Sequence, residues 1–321
     1  MTTRTKNNTV PEVAEFLKTL DRVAVTTHVG ADGDAIGASA ALVRLMRSLG
    51  ASAVFCHAEE VPAYLRWLLP EEAFRELPEG QDLLVVDTSR ADRAGVPVPE
   101  AGARLNLDHH EDNPLYAEFN LVNPRAAASA EIVADLYAHL GVPIGKEAAE
   151  ALYAGIRTDT GDFRFRNISP RAHEMVADLL RAGVVPAEVH ERINRRGSVE
   201  QLNIVGVSLA NARRYGEVLI STVDNDDYAR TGAGELDSKD SIDQLRSVAG
   251  VDVVAHLREV AEGTKGSLRS ESVDVGEIAR LFGGGGHKLA AGYTRPGMRP
   301  LEAKEELLDA LAGRVDLGGA R

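Results

Sequence analysis

Residues 22–50, RVAVTTHVGADGDAIGASAALVRLMRSLG, hold a change of period on which the reading of the whole chain turns. Arg22 to Thr27 is β-branched and apolar, which predicts a buried strand. From Gly33 to Leu49, Ile36, Ala40, Val43 and Leu45 recur at helical spacing, and Gly50 closes the pattern. The polar segment between them, His28 to Asp34, therefore falls at the carboxyl end of a strand. Working outward, Ala51 to Cys56, Leu83 to Asp87 and Arg104 to Leu107 read as further strands. Strands alternating with helices predict an α/β fold, a mainly parallel sheet covered on both faces.

Helical patterns follow at Ala130 to Leu140, with Ser129 as the expected N-cap, and at Lys146 to Arg157. A further helix opens at Ser169-Pro170 and stops near Gly183. Pro186 to Arg195 and Ser198 to Arg213 look helical, polar and connecting. Val218 to Val223 and Val251 to Leu257 read as strands of a smaller α+β unit, which ends in the amphipathic stretch Leu301 to Leu311. The expected organisation is a domain over residues 12–185, a helical linker over 186–214 and a second domain over 215–315.

Composition narrows the function. The 321 residues carry 36 Lys+Arg against 49 Asp+Glu, a formal net charge of −13. That balance disfavours binding to long nucleic acid, which needs clustered cations to displace counterions. Thr264 to Arg299 runs against the trend, with six Lys and Arg against three acids. One cysteine, Cys56, excludes an intramolecular disulfide and a cysteine-based zinc site. No apolar run is long enough for a transmembrane helix, and Met1 to Val10 is too polar for a signal peptide. A cytoplasmic protein without membrane contact is expected.

Polar residues gather at the ends of the expected elements. His28, Asp32 and Asp34 follow the first strand, Asp87 ends another, Asp108-His109-His110 ends the short strand, and Thr158-Asp159-Thr160-Gly161 follows a helix. In an open parallel sheet such loops converge outside the carboxyl ends of the strands. So many carboxylates would repel one another without cations. Hard oxygen ligands with some imidazole suit Mn²⁺ or Mg²⁺, and six ligands suit two ions about 4 Å apart with a bridging carboxylate. Taken singly, Asp32 and Asp34 could be turn or capping residues, and Asp87 a turn starter. Gly30, Gly33 and Gly37 lack the dinucleotide-binding spacing. The run Asp224 to Asp227 lacks the glycine of a calcium loop.

As a set, His28-x-x-x-Asp32-x-Asp34-x-x-Gly37, Asp87, Asp108-His109-His110 and Thr158-Asp159-Thr160-Gly161 resemble the four motifs of the DHH phosphoesterase superfamily. Gly266-Ser267-Leu268-Arg269-Ser270 and Gly283-Gly284-Gly285-Gly286-His287 resemble the substrate-binding motifs of the associated DHHA1 domain. The resemblance spans about residues 12 to 315. Length and motif order are similar to the stand-alone nanoRNase and pAp-phosphatase branch, without the extra domains of RecJ exonucleases or of sensor-linked phosphodiesterases.

The resemblance implies two Mn²⁺ ions, with Mg²⁺ or another divalent metal as substitutes. One would be held by His28, Asp32 and Asp87, the other by Asp34, Asp87, His109 and Asp159. Asp108 would orient a histidine, and His110 would face the scissile phosphate. Arg269, Ser270, Gly284, Gly285, Gly286 and His287 would bind substrate, with the active site in a cleft between the domains. The implied activity is two-metal hydrolysis of RNA or DNA pieces of two to about five nucleotides and of 3′,5′-bisphosphates such as pAp, not of long duplexes. A homodimer is compatible with this reading. A phosphodiesterase for linear or cyclic dinucleotides, a RecJ-like exonuclease and a non-catalytic nucleotide-binding regulator are the competing expectations.

Overall fold

A computed structural model describes residues 6–194 and 197–318. The chain divides into two compact units, residues 1–196 and 197–321. In chain order the first contains α1 (Val10–Leu17), β1 (Arg22–Thr26), α2 (Gly33–Ser48), β2 (Ser52–Phe55), β3 (Asp82–Val86), β4 (Leu105–Asp108) and β5 (Phe119–Val122). Four helices follow: α3 (Ser129–Leu140), α4 (Lys146–Asp159), α5 (Pro170–Arg181) and α6 (Pro186–Asn194). The expected continuation of α6 to Arg195 lies outside the described residues.

The five strands form one sheet in the order β2-β1-β3-β4-β5, every neighbouring pair parallel. Apolar residues on both pleats explain why the strands read as continuous runs rather than alternating ones. Val23, Val25, Leu84 and Val86 turn into the main core with α2, α3 and α4, whereas Ala24, Leu83 and Val85 turn to the other face. That second face is closed by loop residues including Val96, Ala103 and Ala117, together with Cys56, rather than by helices. Strand β5 was not legible: its four residues, Phe-Asn-Leu-Val, are too few for a period to show.

The second unit runs α7 (Val199–Ala210), β6 (Arg213–Tyr215), β7 (Val218–Val223), α8 (Asn225–Thr231), α9 (Ser241–Leu245), β8 (Val253–Val260) and β9 (Gly263–Ser270). It closes with α10 (Val275–Leu281), β10 (Gly285–His287), β11 (Ala290–Pro296) and α11 (Pro300–Leu311). Its sheet order is β10-β11-β9-β8-β7-β6, mixed, with β7 and β8 the parallel pair. Of the helical stretch expected over 186–214, α6 thus lies in the first unit and α7 in the second. The helix expected to reach Arg213 stops at Ala210, where the Asn211 side chain donates to Thr222 O (3.1 Å) and Asp227 Oδ2 (3.1 Å). Arg213 to Tyr215 then pair with β7 as an edge strand. The acids from Asp224 onward cap α8 in a reciprocal box between Asp224 and Asp227, which accounts for them without calcium. Among the described residues no helix is long and apolar enough to cross a membrane.

Two layers of side chains hold the second sheet. Val253, Ala255, Leu257 and Leu268 pack against α10 and α11, while Val254 and Leu219 pack against α9. Beside the latter pair the fully buried His256 ring has Nδ1 3.4 Å from both Ser208 Oγ and Ser221 Oγ, and Nε2 3.3 Å from Ser238 Oγ. Burial, with the Arg258 guanidinium nearby, pushes its pKa down from 6.5 to about 4. The folded state therefore refuses a proton that the unfolded chain accepts. This histidine costs nothing above pH 6.5, and stability is lost as the pH falls toward 4. The loss should reach about 2 kcal/mol at pH 5. Urea midpoints at pH 7.5 and 5.0 test this, because His256→Gln should fall less between the two than the unchanged chain. Equal falls would refute it.

Candidate metal centre

Helix α2 begins where β1 ends, and Asp32 is its N-cap: Oδ1 accepts from the N–H groups of Asp34 (3.1 Å) and Ala35 (3.0 Å). The capping role weighed for this residue is real, and it leaves the second carboxylate oxygen available. Glycines then set how closely α2 meets α4. A Cβ on Gly37 would lie 2.3 Å from Ala151 O, one on Gly33 2.4 Å from Thr158 Oγ1, and one on Gly155 2.6 Å from Asp34 Oδ1. This approach seats Asp34, fully buried, one turn from Asp159 at the end of α4.

Asp34 also closes a helix that is distant in sequence. Its carboxylate accepts from Ser129 N (2.6 Å) and Ala130 N (3.0 Å), the first turn of α3. The cap expected from Ser129 comes instead from Asp34, and the partial positive charge of the helix start favours that carboxylate. Ser129, freed of capping, donates from Oγ to Asp87 Oδ1 (2.9 Å).

Asp87 follows β3 with φ +53°, a left-handed conformation that Asp and Asn tolerate better than most side chains. Its buried carboxylate is the hub. His28 Nε2 lies 3.6 Å from Oδ2, His109 Nε2 3.6 Å from Oδ1, and His110 Nδ1 3.8 Å from Oδ1. His109 Nε2 is also 3.2 Å from Asp159 Oδ2. Three sets offer ligand atoms within 4.8 Å of one another: His28, Asp32 and Asp87; Asp34, His109 and Asp159; and Asp87, His109 and His110. The first two sets share no residue; Asp87 lies in the first and approaches the second through His109.

The ring orientations explain what this arrangement is built to hold. His28 Nδ1 is 2.9 Å from Val29 O and His109 Nδ1 3.3 Å from Ala126 O; a carbonyl accepts only, so each Nδ1 carries the proton. Nε2 of each ring is thereby turned toward carboxylate oxygens, those of Asp87 for His28 and those of Asp87 and Asp159 for His109. Carboxylate oxygens gathered around two inward-turned imidazole nitrogens suit a cation between them. Burial raises the pKa of Asp32 and Asp34, with Asp87 next in effect, and burial with Asp87 and Asp32 brings Asp159 up to about 8. For Asp87, burial acts upward, but the His28, His109 and His110 rings outweigh it and hold the carboxyl low. The donor set fits a divalent cation.

Asp108 is not part of the donor set. Oδ1 accepts from His109 N (2.8 Å), His110 N (3.3 Å) and His110 Nδ1 (2.7 Å), and Oδ2 from Asn113 Nδ2 (2.5 Å). Its hydrogen bond lifts His110 to about 9. Asn113, which also donates to Asn106 Oδ1 (2.7 Å), had no signal beyond its place shortly after the two histidines.

Other supporting residues were missed. The buried His57 ring has Nε2 3.0 Å from His28 O and Nδ1 3.2 Å from Glu59 O. Glu59 accepts from Gly30 N (2.6 Å), and a Cβ on Gly95 would lie 2.1 Å from the His57 ring. The segment after β2 thus clamps the loop carrying His28. At the other end of the centre, Asn167 Nδ2 donates to Asp159 O and Ala127 O, both at 3.0 Å. Buried Arg157 pairs with Asp162 (2.6 Å) and Asn194 Oδ1 (2.8 Å). Neither residue type marks such a role by spacing. Arg171, on α5, is paired with Asp135 on α3.

In the second unit, Arg269 stands opposite Ala290 and Ala290 opposite His287, so their side chains share one face across β9, β11 and β10. Ser270 is one residue on and faces the other way, its Oγ donating to Asp252 Oδ1 (2.7 Å); the structure does not bring it to Arg269. The glycines divide as well. A Cβ on Gly284 would lie 2.2 Å from Gly292 O and one on Gly286 2.6 Å from Ala290 O, but at Gly285 nothing lies within 4 Å.

Comparison with known proteins places this constellation. The pattern of the DHH family, N-terminal domain, matches residues 22–156, and that of the DHHA1 domain matches 216–316. A Thermus thermophilus protein named bifunctional oligoribonuclease and PAP phosphatase NrnA is 37% identical over 314 residues, covering 96% of this chain and 94% of that one. The Bacillus subtilis protein of the same name is 24% identical, over 88% and 92% of the two chains. An exopolyphosphatase-related protein from Bacteroides fragilis has the same fold, with a TM-score of 0.84 at 22% identity over 94% of this chain and 96% of that one. Exonuclease RecJ bound to manganese aligns with a TM-score of 0.54 at 17% identity, over 99% of this chain and 97% of that one. By the match of both domains and by identity along nearly its whole length, the chain belongs to the DHH family, with a DHHA1 domain as its second unit.

Proposed function

We propose that this chain is a metal-dependent phosphoesterase that cuts oligonucleotides of a few residues to mononucleotides and removes a phosphate from 3′,5′-bisphosphates such as pAp. The observation that carries the reading is the pair of imidazoles, His28 and His109, whose Nε2 atoms face the shared Asp87 carboxylate. The names borne by the Thermus and Bacillus relatives support the substrate class.

In this reading two Mn²⁺ ions are held, one by His28, Asp32 and Asp87 and the other by Asp34, Asp87, His109 and Asp159. Divalent ions supply Lewis-acid charge for a phosphoryl group and make water acidic enough to attack it near neutral pH. The chain's residues do the rest. Asp108 fixes the His110 ring through Nδ1, so Nε2 is the atom through which His110 can donate to a phosphate oxygen or leaving group. Asn113 holds Asp108 in turn. In the second unit, Arg269 offers a planar fork for a terminal phosphate, with His287 on the same face and open space at Gly285 for close approach.

Three outcomes are expected. Asp87→Asn keeps the left-handed backbone but should lower Mn²⁺-dependent turnover of pAp by roughly a thousandfold or more, with little change in thermal midpoint. Turnover within tenfold of the unchanged chain would sink the assignment of the hub. Arg269→Ala should raise KM for pAp about tenfold or more while kcat is retained; an unmoved KM would remove Arg269 from the substrate site. His57→Ala should weaken Mn²⁺ binding about 10- to 100-fold in calorimetric titration, because the His28 loop loses its clamp. Unchanged Mn²⁺ affinity would show that the clamp has no bearing on the metal site.

A further inference from the structure

Asn106 lies within β4 between two core leucines, and it is fully buried. Strand alternation turns it away from Leu105 and Leu107, in register with Val85 of β3. A buried primary amide must find partners for two protons and for its oxygen. The Nδ2 atom lies 3.3 Å from Val85 O and 3.2 Å from Thr88 O. Carbonyl oxygens only accept, so this end of the amide donates and Oδ1 must accept. It accepts from Asn113 Nδ2 (2.7 Å), which also donates to Asp108 Oδ2 (2.5 Å). Asn113 Oδ1 accepts from Leu115 N (2.9 Å). Flipping either amide would set donor against donor and acceptor against acceptor, so both orientations are fixed.

The two carbonyls that Asn106 holds bracket Asp87, one two residues before it and the other one residue after. Between them the backbone turns left-handed, with φ +53° at Asp87. The Tyr116 hydroxyl donates to the same Thr88 carbonyl (3.0 Å), and Asp87 N donates to Leu107 O (2.8 Å). Strand β4 and the segment after it thus hold both sides of the turn that carries the hub. At the other end of the line, Asp108 receives His110 Nδ1 (2.7 Å). An unbroken run of hydrogen bonds therefore leads from the frame of the Asp87 carboxylate, through two amides, to the His110 ring. Each member of such a buried run restricts the next.

We propose that Asn106 is the positioning residue of the centre: it fixes where the Asp87 carboxylate points and, through Asn113, where His110 stands relative to it. This rests on the reading of the centre as that of a metal-dependent phosphoesterase. The two amides then have different work. Asn106 serves both the metal site and His110, whereas Asn113 serves only the arm that carries Asp108 and His110.

The test uses the full chain, with Mn²⁺ and pAp. The EPR signal of free Mn²⁺ reads affinity without turnover. Asn106→Leu, close in size but without donors, should weaken Mn²⁺ binding about tenfold or more and lower kcat at saturating Mn²⁺ by a similar factor. Asn113→Ala should keep Mn²⁺ affinity within about twofold, yet lower kcat about tenfold with KM for pAp retained. The double variant should have a kcat no lower than Asn106→Leu alone, because both changes cut the same tie. An asparagine that served stability alone would lower the thermal midpoint and leave Mn²⁺ affinity and kcat of the folded protein unmoved; that result for Asn106→Leu overturns the proposal. A clear loss of Mn²⁺ affinity in Asn113→Ala, or an unchanged kcat there, overturns it too, and this arm holds even where Asn106→Leu does not fold. If the unchanged chain bound no Mn²⁺ or released no phosphate from pAp, the phosphoesterase reading itself would fail, and the proposal with it.

Discussion

Two helices that touch through glycine carry the design of the first unit. Where α2 meets α4, side chains on Gly33, Gly37 or Gly155 would collide with Thr158, Ala151 or Asp34. Close contact buries Asp34 beside Asp159, and the two acids come from helices more than a hundred residues apart in sequence. Packing of this kind is cooperative and unforgiving, since a single methyl group at such a crossing forces the backbones apart. The acidic centre is therefore a result of backbone proximity, not a set of side chains laid over a finished fold.

That proximity has an electrostatic cost, and the surrounding structure shows how it is met. Asp34 rests on the N-terminus of α3, Asp32 on that of α2, and Asp108 on two backbone N–H groups and two side chains. Helix starts and amide donors stabilise negative charge without adding a fixed cation. What they leave is the cluster around Asp87, where imidazole nitrogens and carboxylates converge. The left-handed backbone of Asp87 fits the same account, since its carboxylate stands 3.6 Å from both His28 Nε2 and His109 Nε2.

Much of this was legible because chemistry and fold share a signal. A buried parallel strand is an apolar run, and polar residues at its end stand out against that run: Asp87 after Leu83 to Val86, Asp108 to His110 after Leu105 to Leu107. What stayed hidden depends on neighbours that sequence distance conceals. His57 reaches the His28 carbonyl 29 positions back, and α3 is capped from residue 34 rather than by its own Ser129. Strand β9 carries Gly263, Lys265 and Gly266, so neither its apolar period nor the two-residue alternation that separates Ser270 from Arg269 shows in the letters. The glycine run from Gly283 to Gly286 reads as uniform, yet close packing demands glycine at Gly284 and Gly286 and leaves Gly285 free.

The cap that Asp34 places on α3 has a consequence for how the centre communicates. The carboxylate that offers an oxygen to the cation site also receives the amide protons of Ser129 and Ala130. A cation drawing electron density from that carboxylate would weaken its hold on those amides. The first turn of a helix remote in sequence would then respond to occupancy, and the exchange rates of two backbone hydrogens would gauge whether the centre is filled.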